Sequence, residues 1–197
     1  MMFWLGLVAW IAATFVLAGV PFGLLLCRLR GIEIREIGSG NIGATNAARA
    51  LGKGGGALVM LLDALKGFLP VFLLRLVQGG DDPRVVGATM VAAVAGHVFS
   101  VFLRLRGGKG VATGFGVMLA TYWPAGACGF LAYAALYGIT RLSSLGSLAG
   151  VAVATATIWI SAQALPIGIA ASLIFLLVVL RHAENLRRLA RREEGKV

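Results

Sequence analysis

The stretch VATGFGVMLATYWPAGACGFLAYAALYGIT, Val111 to Thr140, contains no charged side chain, and only Arg141 separates it from a second uncharged run, Leu142 to Leu180. As single helices rising about 1.5 Å per residue, these runs would be about 45 and 58 Å long. A hydrocarbon core of about 30 Å is crossed by about 20 apolar residues. Each run is therefore expected to be a hairpin of two shorter spans. Trp123-Pro124 near the middle of the first and Ser161 to Pro166 within the second supply the breaks, because proline has no N–H to continue a helix.

Working outward, Met1 to Cys27, Leu58 to Val77 and Val85 to Leu103 read as three further spans, the second despite its three charges. Met1 to Cys27 has no basic leader and far exceeds a signal-peptide core, so it is expected to be a retained span. The composition agrees: 59% of the 197 residues are hydrophobic, 13% are charged, and mean hydropathy is +0.90. No water-soluble domain of this size presents such a surface, so the solvent is the lipid bilayer. Cys27 and Cys128 lack metal, redox or disulfide spacing and are expected to be packing residues.

The net charge of +10 comes from eighteen Lys and Arg clustered between uncharged runs. That pattern orients a membrane protein and is not a nucleic-acid footprint. With the N-terminus outside, the loop Arg28 to Lys53, the loop Arg104 to Lys109, Arg141 and the tail after Arg181 all fall on the cytoplasmic side. Only Arg84 is left outside, beside Asp81 and Asp82. Six spans would send a tail with six basic residues outward, and five would leave overlong apolar helices unbroken. The expected fold is one all-α membrane domain over residues 1–197 with seven transmembrane helices, the fourth and fifth short, and a cytoplasmic C-terminus. Arg181 to Arg192 is expected to continue the last helix into water, where Arg187, Arg188, Arg191 and Arg192 either meet anionic headgroups or serve only as a topology anchor.

The basic loops hold more than charge. The first contains GSGNIGATNAAR, Gly38 to Arg49, which formally matches a dinucleotide fingerprint but has no room for the parallel sheet that such a site needs. What remains is local physics. Gly38, Gly40 and the backbone around them form an anion nest, Ser39, Asn41, Thr45 and Asn46 add neutral donors, and Arg49 supplies a forked cation. The second loop follows His97 and reads RLRGGKGVAT from Arg104. It lacks the spacing and the Ser or Thr of a nucleotide-hydrolysing P-loop. Lys109 beside Gly107 and Gly108 at a helix start is nevertheless a good phosphate environment. Ser143 and Ser144 follow Arg141, and His182 and Asn185 lie three apart on one helix face. By the predicted topology all four elements meet at one membrane surface, as a site for phosphate-bearing molecules.

Asp63 and Lys66, three apart inside the second span, are expected to pair and face the bundle, as a structural pair or as part of an ion pathway. A Ser-His-Asp triad and a Gly-x-Ser-x-Gly elbow are absent. No metal or cofactor is expected.

Together, GSGNIGATNAAR, GHVFSVFLRLRGGKGVAT, RLSSLGS and RHAENLRRLARREEG resemble the cytoplasmic motifs of the bacterial PlsY family, the acyl-phosphate glycerol-3-phosphate acyltransferases. LLDALKGFLPV is similar to that family's second span. The resemblance covers nearly the whole chain, with Arg187-Arg188 where the family often has Ile-Lys or Leu-Lys. It implies a seven-helix enzyme of the bacterial inner membrane that moves an acyl chain from acyl phosphate to the 1-hydroxyl of glycerol 3-phosphate, giving lysophosphatidic acid. Acyl phosphate is a mixed anhydride, so no covalent acyl-enzyme is required. In this reading His182, Asn185, Lys109 and Ser39 are catalytic. Arg49, Gly38, Gly40, Asn41, Thr45, Asn46, Gly107, Gly108, Ser143, Ser144 and His97 bind substrate or phosphate. The proton of the attacking hydroxyl goes to His182 or to the substrate's own phosphate. The rival readings are a transporter of an anionic phosphorylated solute, using Asp63 and Lys66, and a non-catalytic lipid-binding subunit.

Overall fold

The computed structural model describes residues 2–77 and 82–195, and among these every regular element is helical. The order is α1 (Met2–Ala18), α2 (Phe22–Arg28), α3 (Ala44–Val77), α4 (Pro83–Val98), α5 (Val111–Thr121), α6 (Trp123–Thr140), α7 (Ser143–Ile160), α8 (Leu165–Arg181) and α9 (Ala183–Ala190). Leu5–Arg28, Ala44–Leu76, Pro83–Leu103 and Ser143–Ile160 are long and apolar enough to cross a membrane, and α8 with α9 forms a fifth, bent candidate. This is an all-α integral membrane fold. Leu131, Ile139 and Ile160 point outward, where lipid replaces water as solvent.

Both predicted hairpin breaks are present. The first lies at Tyr122, whose extended backbone separates α5 from α6. The second spans Ser161 to Ala164 between α7 and α8. Of the two helices in the first hairpin only α5 is short: its 11 residues reach about 16 Å. The expected shortness of the fifth helix is not found, because α6 has 18 residues, as many as α7. Asp81 lies outside the described residues.

The first apolar run departs from expectation. It breaks between Ala18 and Phe22, and the carbonyls freed ahead of Pro21 find side-chain donors. Ser100 Oγ donates to Gly19 O at 2.6 Å, and Lys66 Nζ donates to Val20 O at 2.8 Å. Lys66 also pairs with Asp63 at 2.8 Å, both side chains being buried. The expected pair therefore exists, and it has a backbone to serve. Arg75, the third charge of the predicted second span, donates to Ala120 O and Thr121 O, each at 2.7 Å. A cation on the last carbonyls of α5 complements that helix's dipole.

Two boundaries also differ. Helix α3 starts at Ala44 and not Leu58, with a kink at Gly52, where φ is 79°. Gly54-Gly55-Gly56, between the predicted first loop and the predicted second span, are helical: a Cβ at Gly56 would stand 2.5 Å from Ala48 Cβ, so small residues let the chain close on itself there. The last helix does not run straight into water but bends by 57° at His182. Of the two cysteines, Cys27 packs in the core as expected, whereas Cys128 faces outward on α6.

Backbone-close packing fixes the bundle. A Cβ at Gly116 of α5 would lie 2.0 Å from Ala64 O of α3, and one at Gly129 of α6 would lie 2.7 Å from Gly150 O of α7. Such small-residue contacts substitute for the hydrophobic drive that lipid cannot supply. Met90, Val94, Val117, Met118, Ile158 and Ile174 fill the interior between them.

Candidate active site

Asn46 organises the first loop. Its Nδ2 donates to Ile34 O at 3.0 Å and to Ile37 O at 2.9 Å, and its Oδ1 accepts from Ser39 N at 3.2 Å. With both ends engaged, Asn46 shapes the cradle that Ser39 occupies. Gly38 has φ of +53°, and a Cβ there would lie 2.6 Å from Asn46 Oδ1 and 2.9 Å from Arg49 Cδ. Only glycine permits both that turn and the Arg49 side chain running past it. Thr45 Oγ1 and Ser143 Oγ, 2.8 Å apart, tie the first loop to the start of α7.

The second loop packs against the end of α4. A Cβ at Gly108 would lie 2.2 Å from His97 Nε2, and one at Gly107 would lie 2.0 Å from His97 O. Arg181 holds the same loop from the other side, through Nε to Gly108 O at 3.3 Å and Nη2 to Gly107 O at 3.2 Å. Lys109 is thereby delivered to Asn185, whose Oδ1 accepts from Lys109 Nζ. Asn185 Nδ2 donates to Glu194 Oε1 at 2.6 Å, and Arg188 Nε donates to Glu194 Oε2 at 2.8 Å. This fixes which way the Asn185 amide faces.

These groups line one cavity of about 510 Å³. Of the predicted residues, Gly38, Ser39, Asn41, Thr45, Asn46, Arg49, His97, Lys109, Ser143, Ser144, His182 and Asn185 are brought together around it. Gly40, Gly107 and Gly108 are not on its wall; the last two shape it by allowing close packing on His97. The cavity has a second half that is apolar, formed by Met60, Val111, Ala112 and the ring cluster of Phe115, Phe130 and Tyr133.

Three helices begin at this cavity: Ala44 and Thr45 of α3, Val111 and Ala112 of α5, and Ser143 and Ser144 of α7 all line it. None of the three has an acidic residue in its first turn, and α5 and α7 have no side-chain cap. Free first-turn N–H groups and three positive dipole ends therefore add to Arg49 and Lys109, which makes the polar half an anion site.

His182 is 2% exposed. Its Nδ1 lies 2.8 Å from Val178 O. A carbonyl only accepts, so Nδ1 carries the proton and Nε2 keeps its lone pair. Burial, reinforced by the Lys109 charge, lowers the imidazole to about 4. Burial likewise lowers Lys109 to about 8, against the pull of Glu194. The neutral imidazole and the easily recharged amine suit a site that awaits an anion.

A family model described as glycerol-3-phosphate acyltransferase matches residues 8–192. The chain belongs to that family. A glycerol-3-phosphate acyltransferase of Anaeromyxobacter dehalogenans (strain 2CP-1 / ATCC BAA-258) is 46% identical over 191 residues, 95% of each chain. That of Myxococcus xanthus (strain DK1622) is 49% identical, covering 91% of this chain and 94% of its own. The crystal structure of PlsY, an integral membrane glycerol 3-phosphate acyltransferase, in its glycerol 3-phosphate form superposes with a TM-score of 0.93 at 34% identity, over 98% of this chain and 96% of that one. The lysophosphatidic acid form superposes at 0.91. The chain therefore shares its fold with the glycerol 3-phosphate form over 98% of its length.

Sequence reasoning missed three residues of the candidate site and its support. Arg188 lies three after Asn185 as Asn185 lies three after His182, a periodicity that was available. Arg181 acts on backbone carbonyls, for which no sequence signal exists. Glu194 returns to the cavity through a reversal at Arg192, whose φ is 60°, beyond the reach of helical periodicity.

Proposed function

We propose that the acyl donor is acyl phosphate, and that the enzyme transfers the acyl group to the 1-hydroxyl of glycerol 3-phosphate in phospholipid biosynthesis. The observation that carries this reading is a single cavity in which a phosphate-binding half, built on three helix N-termini, Arg49 and Lys109, adjoins an apolar half suited to a fatty chain. Related PlsY structures in glycerol 3-phosphate and lysophosphatidic acid forms support it. The hydroxyl oxygen bonds to the acyl carbonyl carbon, the carbon–phosphate oxygen bond breaks, and inorganic phosphate leaves with lysophosphatidic acid as the other product. Lys109, Arg49 and the first-turn N–H groups stabilise the departing phosphate, and Ser39 with Asn185 holds the acceptor.

The proton goes to the substrate's own phosphate. An imidazole lowered to about 4 is a weaker base than a phosphate monoester, whose second ionisation lies near pH 6. His182 Nε2 instead accepts a hydrogen bond that aims the hydroxyl. His182→Gln keeps an acceptor and is expected to retain substantial turnover with the normal pH dependence; a collapse of activity would return the base role to His182.

We further propose a seven-span topology with the N-terminus outside and the site on the cytoplasmic face of the bacterial inner membrane; the basic loops and the common start of α3, α5 and α7 at the cavity support it. The transporter reading loses its coupling pair, since Asp63 and Lys66 neutralise each other and Lys66 serves the Val20 carbonyl. Purified protein offered glycerol 3-phosphate with acyl phosphate, acyl-CoA or acyl carrier protein separately is expected to form lysophosphatidic acid from acyl phosphate alone. Turnover with either thioester instead would overturn the donor assignment.

A further inference from the structure

A second cavity, of about 720 Å³, shares no residue with the first. Its wall carries Arg28 from the end of α2, Arg35 from the first loop, and Arg104 and Arg106 from the second, with Leu25 and Phe102 beneath them. Among the described residues, no acid lines it. Glu33 pairs with Arg28 at 3.3 Å, and that Arg28 side chain is 62% exposed. A pair so open to solvent leaves most of the guanidinium charge available.

The arrangement is stratified. Leu25 and Phe102 are 44% and 55% exposed and belong to the apolar stretches Leu5–Arg28 and Pro83–Leu103, whereas the arginines lie at and beyond the ends of those stretches. Apolar floor and cationic rim thus meet at the depth where a membrane's acyl chains give way to headgroups. A soluble anion has no use for the floor, and a neutral lipid has no use for the rim.

The rim is also built. Arg104 and Leu105 are consecutive non-glycine residues with left-handed backbones, φ 50° and 64°. The turn is held by Leu105 N to Ser100 O at 2.8 Å and Arg106 N to Leu103 O at 3.0 Å. Arg35 Nη2 donates to Arg106 O at 2.7 Å, which locks the two loops that form the rim. Strained conformations of this kind persist where surrounding structure enforces them, and they concentrate at ligand sites.

We propose that this cavity binds an anionic phospholipid, its headgroup phosphate between Arg28 and Arg104 and an acyl chain along Leu25 and Phe102. The site is separate from catalysis and does not depend on the identity of the acyl donor.

The test is native mass spectrometry of the full-length protein released from nanodiscs containing phosphatidylglycerol and phosphatidylethanolamine. Wild type is expected to retain one phosphatidylglycerol in preference to phosphatidylethanolamine. R104Q is expected to weaken that preference about fivefold, and R28Q/R104Q about thirtyfold, from the loss of one and two arginine contacts. R191Q/R192Q, which removes the same charge from the tail, is expected to leave it unchanged. Acyltransferase activity of each variant reports that it is folded, because neither Arg28 nor Arg104 touches the catalytic cavity. Equal losses in R28Q/R104Q and R191Q/R192Q would reduce the arginines to topology signals and overturn the proposal. Displacement of the lipid by millimolar inorganic phosphate would identify a free-anion site and overturn it as well.

Discussion

Gly107 and Gly108 make a paired prediction about how Lys109 is held. A Cβ at Gly108 would fall 2.2 Å from His97 Nε2, where ordinary contact begins at 3.4 Å, so Gly108→Ala must displace ring or loop by about 1.2 Å. His97 is buried and cannot swing away, and Lys109 follows the loop. A misplacement of about 1 Å in a reacting group costs about 10²-fold, or about 2.7 kcal/mol in the barrier. Gly107→Ala clashes as badly, but with the His97 carbonyl at 2.0 Å. The two differ in what relieves them. Against a His97→Ala background, where the ring is gone and the carbonyl remains, adding Gly108→Ala is expected to cost little and adding Gly107→Ala to keep its full penalty. Initial rates of lysophosphatidic acid formation across both double-mutant cycles measure this. Wild-type-like rates for Gly108→Ala, or equal rescue of both alanines, would refute the reasoning.

Other perturbations test other links. Asp63→Asn leaves Lys66 charged and buried, so thermal unfolding in detergent is expected to show a loss of about 3–5 kcal/mol, only partly restored in D63N/K66M because the Val20 carbonyl loses its donor; an unaffected single variant would contradict the pairing. Because Lys109 titrates near 8 in the empty site, it carries its proton below that pH and loses it above. KM for acyl phosphate is therefore expected to rise as pH passes 8, while kcat changes less because bound phosphate recharges the amine; a flat KM from pH 7 to 9 would argue against Lys109 as the phosphate cation. Arg181→Gln removes two charge-assisted hydrogen bonds from the Lys109 loop and is expected to lower kcat/KM about tenfold or more, with Arg181→Lys restoring only part of it; full activity in Arg181→Gln would dissociate it from the loop.

What the sequence made readable follows from which physical signals are local. Run length and the proline at 124 located the break at Tyr122, because a missing N–H acts within one turn. The spacing of Asp63 and Lys66 predicted their pairing, since three residues on a helix share a face. The same spacing put His182 and Asn185 on the cavity. The break at Gly19 to Pro21 was hidden, because the segment is apolar throughout and the donors that allow it, Ser100 and Lys66, come from other helices. The early start of α3 was hidden as well, because Gly54-Gly55-Gly56 reads as a loop unless Ala48 is known to lie against it. Arg181 and Glu194 act through backbone carbonyls and a chain reversal, neither of which leaves a period in the sequence. The three helix N-termini that dominate the anion site were readable singly, at Lys109, and their convergence is a property of the fold alone.

Rapid-quench mixing of the purified enzyme with acyl phosphate, with and without glycerol 3-phosphate, tests direct transfer in one experiment. Direct transfer predicts that phosphate and lysophosphatidic acid form together in equal amounts, and that neither is released in a burst when glycerol 3-phosphate is absent. A stoichiometric burst of phosphate without acceptor would mean a covalent acyl-enzyme and would contradict the account.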